Sequence, residues 1–192
     1  MPMATLISHN PNYMTVLCAA AGQCHNKSVG KKVISTIIQS GHWSVLEHCT
    51  ATFRVTCSVS TLLQLTRHRH LSFTVQSTRS VPLDTTYDTG DDKVDNEVWA
   101  VMDAYNKLID EGVPCSTAQY LLPKAAEYNL VVTGNLRAWM EYLPKRLCKR
   151  ASEEHQALAR QIADELHATM PEVFGASMMN CKNCTEKSCE FK

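Results

Sequence analysis

Apolar residues recur at helical spacing over several stretches of the chain and alternate at strand spacing over one other. Val33, Ile34, Ile37 and Ile38 share one face of a helix predicted over about 29–40, with Ser28 as its cap and Gly41 where a C-terminal cap belongs. Thr50 to Cys57 is rich in β-branched residues. Ala51, Phe53, Val55 and Cys57 fall on one side, which predicts a half-buried strand. Leu62, Leu63 and Leu65 predict a short helix running into Arg67. Residues 82–93 carry Pro, Gly and four Asp, and read as a loop. Val94, Val98, Val101, Met102, Tyr105, Leu108 and Ile109 then recur at helical spacing, and Gly112-Val113-Pro114 ends that helix. Leu130 to Thr133 is a short extended piece. Asn135 is placed to cap a helix through Leu143, and Pro144 should break or kink it because it has no amide proton. A last helix is expected over about 147–169, with Leu158, Ile162 and Leu166 on one face and Pro171 beyond. The sum is one mainly helical α+β domain over residues 1–175, with few strands, followed by a Cys/Lys/Asn tail over 176–192.

Composition narrows the class. A chain of 192 residues suits one domain with a substantial core. Lys+Arg and Asp+Glu are equal at 19 each, so bulk charge favours neither nucleic acid nor membrane, and any anion site must be a local cluster. Met1 to Tyr13 has no basic start, apolar stretch or cleavage-type ending, and no apolar run approaches the roughly 18 residues of a membrane span. A soluble, cytoplasmic protein is expected. Nine cysteines, an odd number without a leader, point to reduced thiols. The tail spacing Cys181-x2-Cys184-x4-Cys189 is metal-like at its first pair but one thiolate short of a structural zinc site. Cys18, Cys24 or His25 would have to complete it; the alternative, and the expectation, is a reduced tail without metal.

One segment carries chemistry. Arg67-His68-Arg69-His70-Leu71-Ser72-Phe73-Thr74-Val75-Gln76-Ser77-Thr78-Arg79 packs three Arg and two His into thirteen residues of a neutral chain. Guanidinium groups bind phosphate or carboxylate through paired hydrogen bonds and can hold positive charge beside a ring that becomes anionic. The Ser, Thr and Gln side chains add neutral donors and acceptors, which suits a phosphorylated ligand with a polar ring. A solvated basic loop or an RNA contact is the other reading. Phe73 is the segment's one aromatic side chain, which disfavours single-stranded nucleic acid.

Arg-His-Arg, seven residues, then Ser resembles the signature of the flavin-dependent thymidylate synthase family. Three further elements resemble that family in the same order. Gly41-His42-Trp43-Ser44-Val45-Leu46-Glu47-His48 lies upstream; Leu122-Pro123 with Asn135-x-Arg137, and Arg146-Leu147-Cys148-x-Arg150-Ala151, lie downstream. Together they cover about residues 15–175. The resemblance implies an α+β domain with a small antiparallel sheet and surrounding helices. It implies conversion of dUMP to dTMP, with FAD as hydride carrier and methylenetetrahydrofolate and NADPH as co-substrates. By position, His42, Ser44, Arg67, His68 and Arg69 should contact FAD, with Asn135 and Arg137 holding it from another subunit. Gln64, Ser77, Thr78, Arg79 and Arg146 should surround dUMP. Arg146 is the expected catalytic group at the pyrimidine edge, and Ser77 a conceivable nucleophile better suited to positioning. The resemblance also implies a homotetramer with shared active sites.

The chain departs from the family pattern near the nucleotide. Ser80 replaces a Tyr and Gln119 an Arg before Leu-Pro; Thr61 replaces an Arg after Val-Ser; Glu141 replaces an Asn; Ser152-Glu153 replaces Gln-Trp. Two Arg lost and a Glu gained make the pocket less cationic. Either a working thymidylate synthase has drifted, or the substrate has changed to dCMP or UMP, or the one-carbon outcome to hydroxymethylation. A nucleotide- or RNA-binding module without catalysis is the remaining alternative.

Overall fold

The computed structural model describes residues 1–24, 26–175, 184 and 186–190. Its centre is a four-stranded, wholly antiparallel sheet of β1 (Met3–His9), β2 (Thr50–Ser58), β3 (Leu71–Val75) and β4 (Glu127–Asn135), in the order β1-β2-β4-β3. The predicted alternation holds. Ala51, Phe53, Val55 and Cys57 are fully buried, while Arg54 between them is exposed. Leu130 and Val132 of β4 and Leu71 of β3 continue that buried face. Against it pack α6 (Leu136–Arg146), through Trp139, Tyr142 and Leu143, and α7 (Glu153–Thr169), through Leu158, Ile162 and Leu166. The helices α1 (Tyr13–Gln23) and α2 (Lys31–Gln39) add Leu17 and Ile34 to the same core. Removing these apolar side chains from water is the main stabilising term, roughly 1.5–3 kcal/mol for each fully buried large one.

The short α3 (Val59–Leu65) follows β2, as Leu62 and Leu65 predicted. The helix expected from Val94 is α4 (Asp92–Asp110). Asp91 caps it, its Oδ1 accepting from the amides of Lys93 at 2.9 Å and Val94 at 3.3 Å. Gly112 stops it with a φ of 84°, a conformation that favours glycine. Only Met102 and Tyr105 of its apolar face are buried, with Ala118 of α5 (Cys115–Ala118), in a cluster separate from the main core. Val94, expected on the buried face, is exposed because the helix packs through its later turns.

Other expectations shift. The cap of α2 is Gly30, not Ser28. Pro144 neither breaks α6 nor ends it: the helix runs two residues further, to Arg146. Pro144 falls in the last turn, so only one ladder bond is missing. Conversely α7 starts at Glu153 rather than near 147, because Arg146 to Ser152 turns back on itself, the Ala151 amide donating to the Cys148 carbonyl at 2.9 Å. β1 and α1 were not anticipated. Met3 and Ile7 of the edge strand β1 are exposed, so no apolar alternation marks it. β3 lies within the cationic segment, where charge hides the alternation of Leu71, Phe73 and Val75.

Cys181 and His25 lie outside the described residues. Among the described residues, no three His, Cys, Asp or Glu are grouped to hold a metal, and the cysteines are free thiols. No helix there is long and apolar enough to cross a membrane.

Candidate active site

The loop between α3 and β3 carries Arg67, His68, Arg69 and His70 and lies against the outer face of α6. A cleft of about 240 Å³ is lined by these four with Leu71, Ala138, Glu141 and Lys145. A second cleft of about 290 Å³ is lined by Glu47, His70, Asn135, Arg137, Ala138 and Glu141. The two adjoin, sharing His70, Ala138 and Glu141. Thus Arg67, His68 and Arg69 meet Asn135 and Arg137 across one stretch of α6.

The local sequence explains the placement. Asn135 ends β4 with extended backbone, and its Oδ1 accepts from the Ala138 amide at 2.8 Å, so it is the predicted helix cap. Arg137 then sits on the first turn, held between two carboxylates. Its Nε donates to Glu141 Oε1 at 2.9 Å, and its Nη1 to Glu47 Oε1 at 2.6 Å. The first pair is legible in the sequence as an i,i+4 contact. The second joins residues ninety apart and is not. Glu47, in the segment just before β2, thus orients Arg137.

At the other end of α6, Arg146 is half-buried. Its Nε donates to His68 Nε2 at 2.9 Å and its Nη2 to the Gln64 carbonyl at 3.0 Å; Nη1 lies 3.4 Å from Gln64 Oε1. Because Arg146 is the donor, His68 must be neutral and present an unprotonated Nε2. Electrostatics agrees: burial, reinforced by the charges of Arg146 and Lys145, holds the His68 pKa down at about 4. The His68 ring meets Tyr142 edge to face, centroids 4.9 Å apart. Tyr142 in turn meets Trp139 at 5.5 Å, and Trp139 meets Phe53 at 5.2 Å. Trp139 is core, its Nε1 donating to the Ala51 carbonyl at 3.1 Å.

The remaining predicted site residues stand elsewhere on the chain. His42 and Ser44 line a more apolar cleft of about 400 Å³ with Val29, Val33, Ile37 and Val45, and it shares no lining residue with the other two. Ser77, Thr78 and Arg79 form the turn after β3, so the length of that strand, roughly 17 Å, separates them from the Arg-His-Arg loop. Ser77 and Arg79 are exposed. Thr78 is buried, its hydroxyl donating to Gln119 Oε1 at 2.7 Å, while Gln119 Nε2 donates to the Ser116 carbonyl at 2.9 Å. Gln119, a departure from the family pattern, is thus tied to the same turn as Arg79. Thr61, another departure, is buried and donates to Glu154 Oε2 at 2.6 Å. Arg150 makes an ion pair with Glu186 at 3.6 Å. Of the side chains around Arg146, Tyr142 carried no sequence signal; its role follows only from the packing of α6 on the sheet.

The two adjoining clefts fit a flavin dinucleotide by charge. Arg67, Arg69, Arg137 and Lys145 face Glu47 and Glu141, leaving two positive charges for a pyrophosphate that carries two negative ones.

Residues 5–172 match the family described as thymidylate synthase complementing protein. A flavin-dependent thymidylate synthase of Sulfolobus acidocaldarius is 36% identical over 176 residues, covering 82% of this chain and 66% of that protein. The Geobacter sulfurreducens enzyme of the same name is 31% identical over 205 residues, covering 92% and 87%. The chain therefore spans just under two thirds of the first relative and most of the second. The fold is shared with thymidylate synthase X from Helicobacter pylori, crystallised with FAD and dUMP, at a TM-score of 0.80 and 21% identity over 91% of this chain and 98% of that one. It is shared too with the UMP/dUMP methylase PolB from Streptomyces cacaoi bound with 5-Br dUMP, at 0.76 and 21% over 91% and 93%. On the match over residues 5–172, and on the loop and helix just described, this chain belongs to the thymidylate synthase complementing protein family.

Proposed function

We propose that this chain is an FAD-dependent methyltransferase that converts dUMP to dTMP, with methylenetetrahydrofolate as carbon donor and NADPH as reductant. The observation that carries the reading is Arg146, fixed by His68 and Gln64 beside the Arg-His-Arg loop. Uracil C5 is a weak nucleophile, and its attack on a carbon donor develops negative charge along the carbonyl edge of the ring. Arg146 directs three of its five N–H groups at His68 and Gln64 and keeps two for a ligand. A guanidinium already oriented stabilises that charge without reorganising at the moment of reaction. Bound FAD, once reduced by NADPH, would supply the hydride. The resemblance assigned Asn135 and Arg137 to another subunit; the adjoining clefts instead favour one chain supplying Arg67, Arg69, Asn135 and Arg137, with His42 and Ser44 reaching the cofactor from another copy. Gln64, Thr78 and Arg79 position the nucleotide, and Ser77 serves the same end, with no base identified to make it a nucleophile.

The separation of His42 and Ser44, in a cleft that shares no lining residue with the other two, supports a site assembled between copies, as in a homotetramer. The reading also includes a cytoplasmic setting. The test is direct. Purified protein should bind FAD with a flavin absorbance spectrum and form dTMP from dUMP, and not react with dCMP or UMP. Turnover of one of those instead would move the substrate and keep the enzyme class. A protein that cannot be reconstituted with FAD would be a nucleotide-binding module.

A further inference from the structure

Of the two groups that hold Arg146, Gln64 bonds its terminal nitrogens and His68 its Nε. We propose that His68 is a positioning residue for Arg146: its Nε2, kept as an acceptor, fixes the guanidinium at the pyrimidine edge. This inference rests on the assignment of Arg146 to the reaction.

Three observations support it. First, the Nε–Nε2 distance of 2.9 Å is a good hydrogen bond, and its direction is settled by chemistry, since guanidinium can only donate. Neutral His68 therefore carries its proton on Nδ1. Second, the ring cannot swing away. Its face or edge is braced by Tyr142, which is fully buried and whose hydroxyl lies 3.1 Å from Nε2 of the fully buried His155. The brace is rooted in the core through Trp139 and Phe53, so the geometry of the sheet is passed to Arg146 by contact. Third, among the described residues Nε of Arg146 has no other hydrogen-bond partner: Gln64 bonds the two terminal nitrogens. Without His68 the guanidinium can pivot about its Nη contacts, and a displacement on the order of 1 Å is enough to cost on the order of 100-fold in rate.

The consequence is specific. With Nε2 committed, His68 offers a bound flavin its Nδ1–H and no acceptor nitrogen. Its part in the site is then to orient Arg146 as well as to line the flavin cleft.

Two variants separate positioning from flavin binding. His68→Gln keeps an acceptor near the Nε2 position; His68→Leu removes it. Both are measured with saturating dUMP, and rates are expressed per bound flavin counted by absorbance. His68→Leu should lose on the order of 100-fold in kcat per flavin, with the KM for dUMP little changed. His68→Gln should recover most of that loss. If His68→Leu only lowers flavin occupancy, with kcat per flavin unchanged, the positioning role is wrong. A second readout does not depend on turnover. In ¹⁵N-histidine-labelled protein at neutral pH, His68 should show a protonated Nδ1 and an unprotonated Nε2, and Arg146→Gln should abolish that preference. An Nε2–H tautomer or an imidazolium would overturn the inference. If the wild-type protein forms no dTMP from dUMP while the tautomer is as expected, the functional assignment fails and the His68–Arg146 geometry stands.

Discussion

At the scale of single residues, the proposed chemistry rests on two arginines of α6 that are held differently. Arg146 uses a fork of N–H groups against His68 and Gln64, which an ammonium cannot reproduce. Arg146→Lys should therefore lower the rate of dTMP formation on the order of 100-fold with the fold intact, as read by initial rates beside a thermal melt. Asn135 has a simpler duty in the isolated chain. Replacing it with Ala removes the acceptor for the Ala138 amide and should cost about 1 kcal/mol in urea denaturation. Both residues could be picked from the sequence by motif, and Asn135 also by its capping position. Arg137 with Glu141 was legible from spacing alone. Arg137 with Glu47, Arg146 with His68, and Thr78 with Gln119 were not, because each pair is distant in sequence and joined only by the packing of separate elements.

At the scale of elements, two junctions hold the site's scaffold. One is Glu154 in the first turn of α7. Its carboxylate is buried and accepts from the Ser58 amide at 2.7 Å, the Ser58 hydroxyl at 2.5 Å and the Thr61 hydroxyl at 2.6 Å. This ties the end of β2 and the start of α3, hence the Arg-His-Arg loop beyond it, to α7. Glu154→Ala would leave those donors buried and unmatched, and should lower stability by about 3 kcal/mol in a denaturant titration. The other junction is Gly134, at the end of β4. A Cβ there would lie 2.4 Å from Leu71 Cδ2 and 3.1 Å from Trp139 Nε1. Leu71 can give way, but Trp139 is pinned by its bond to Ala51. Gly134→Ala should cost about 1–3 kcal/mol and loosen the contact of β3 with α6, visible as a lower melting temperature.

At the scale of the whole molecule, the buried His155 and the half-buried His68 make stability depend on pH. Burial, reinforced by the charge of Arg146, holds His155 down at about 3 and His68 at about 4. An unfolded histidine titrates near ~6.5. As the pH falls below that value, the unfolded chain takes up protons that the folded chain refuses. The stabilisation is thus complete above about pH 6.5 and is lost progressively as pH drops through the folded values. The urea midpoint should fall between neutral pH and about pH 4. His155→Phe should flatten that slope; an unchanged slope would mean that carboxylates alone set the acid sensitivity.

How far the sequence reached follows from the range of each interaction. Strand β2, helices α3, α4 and α6, and the apolar face of α7 were legible, because periodicity and capping act within a few residues. The edge strand β1 and the strand β3 were not, since one lacks a buried alternation and the other, itself uncharged, lies inside the cationic segment. The motifs were enough to assign the family and to name Arg67, His68, Arg69, Asn135, Arg137 and Arg146. They say nothing of which of these touch. The antiparallel order β1-β2-β4-β3 and the packing of α6 on the sheet brought Arg146 to His68 and Arg137 to Glu47, and kept Ser77 to Arg79 a strand's length away. The physical reason is that residue type and spacing select local conformation and candidate chemistry. Contact across tens of residues, and with it the protonation state of His68, is set only when the buried faces close on one another.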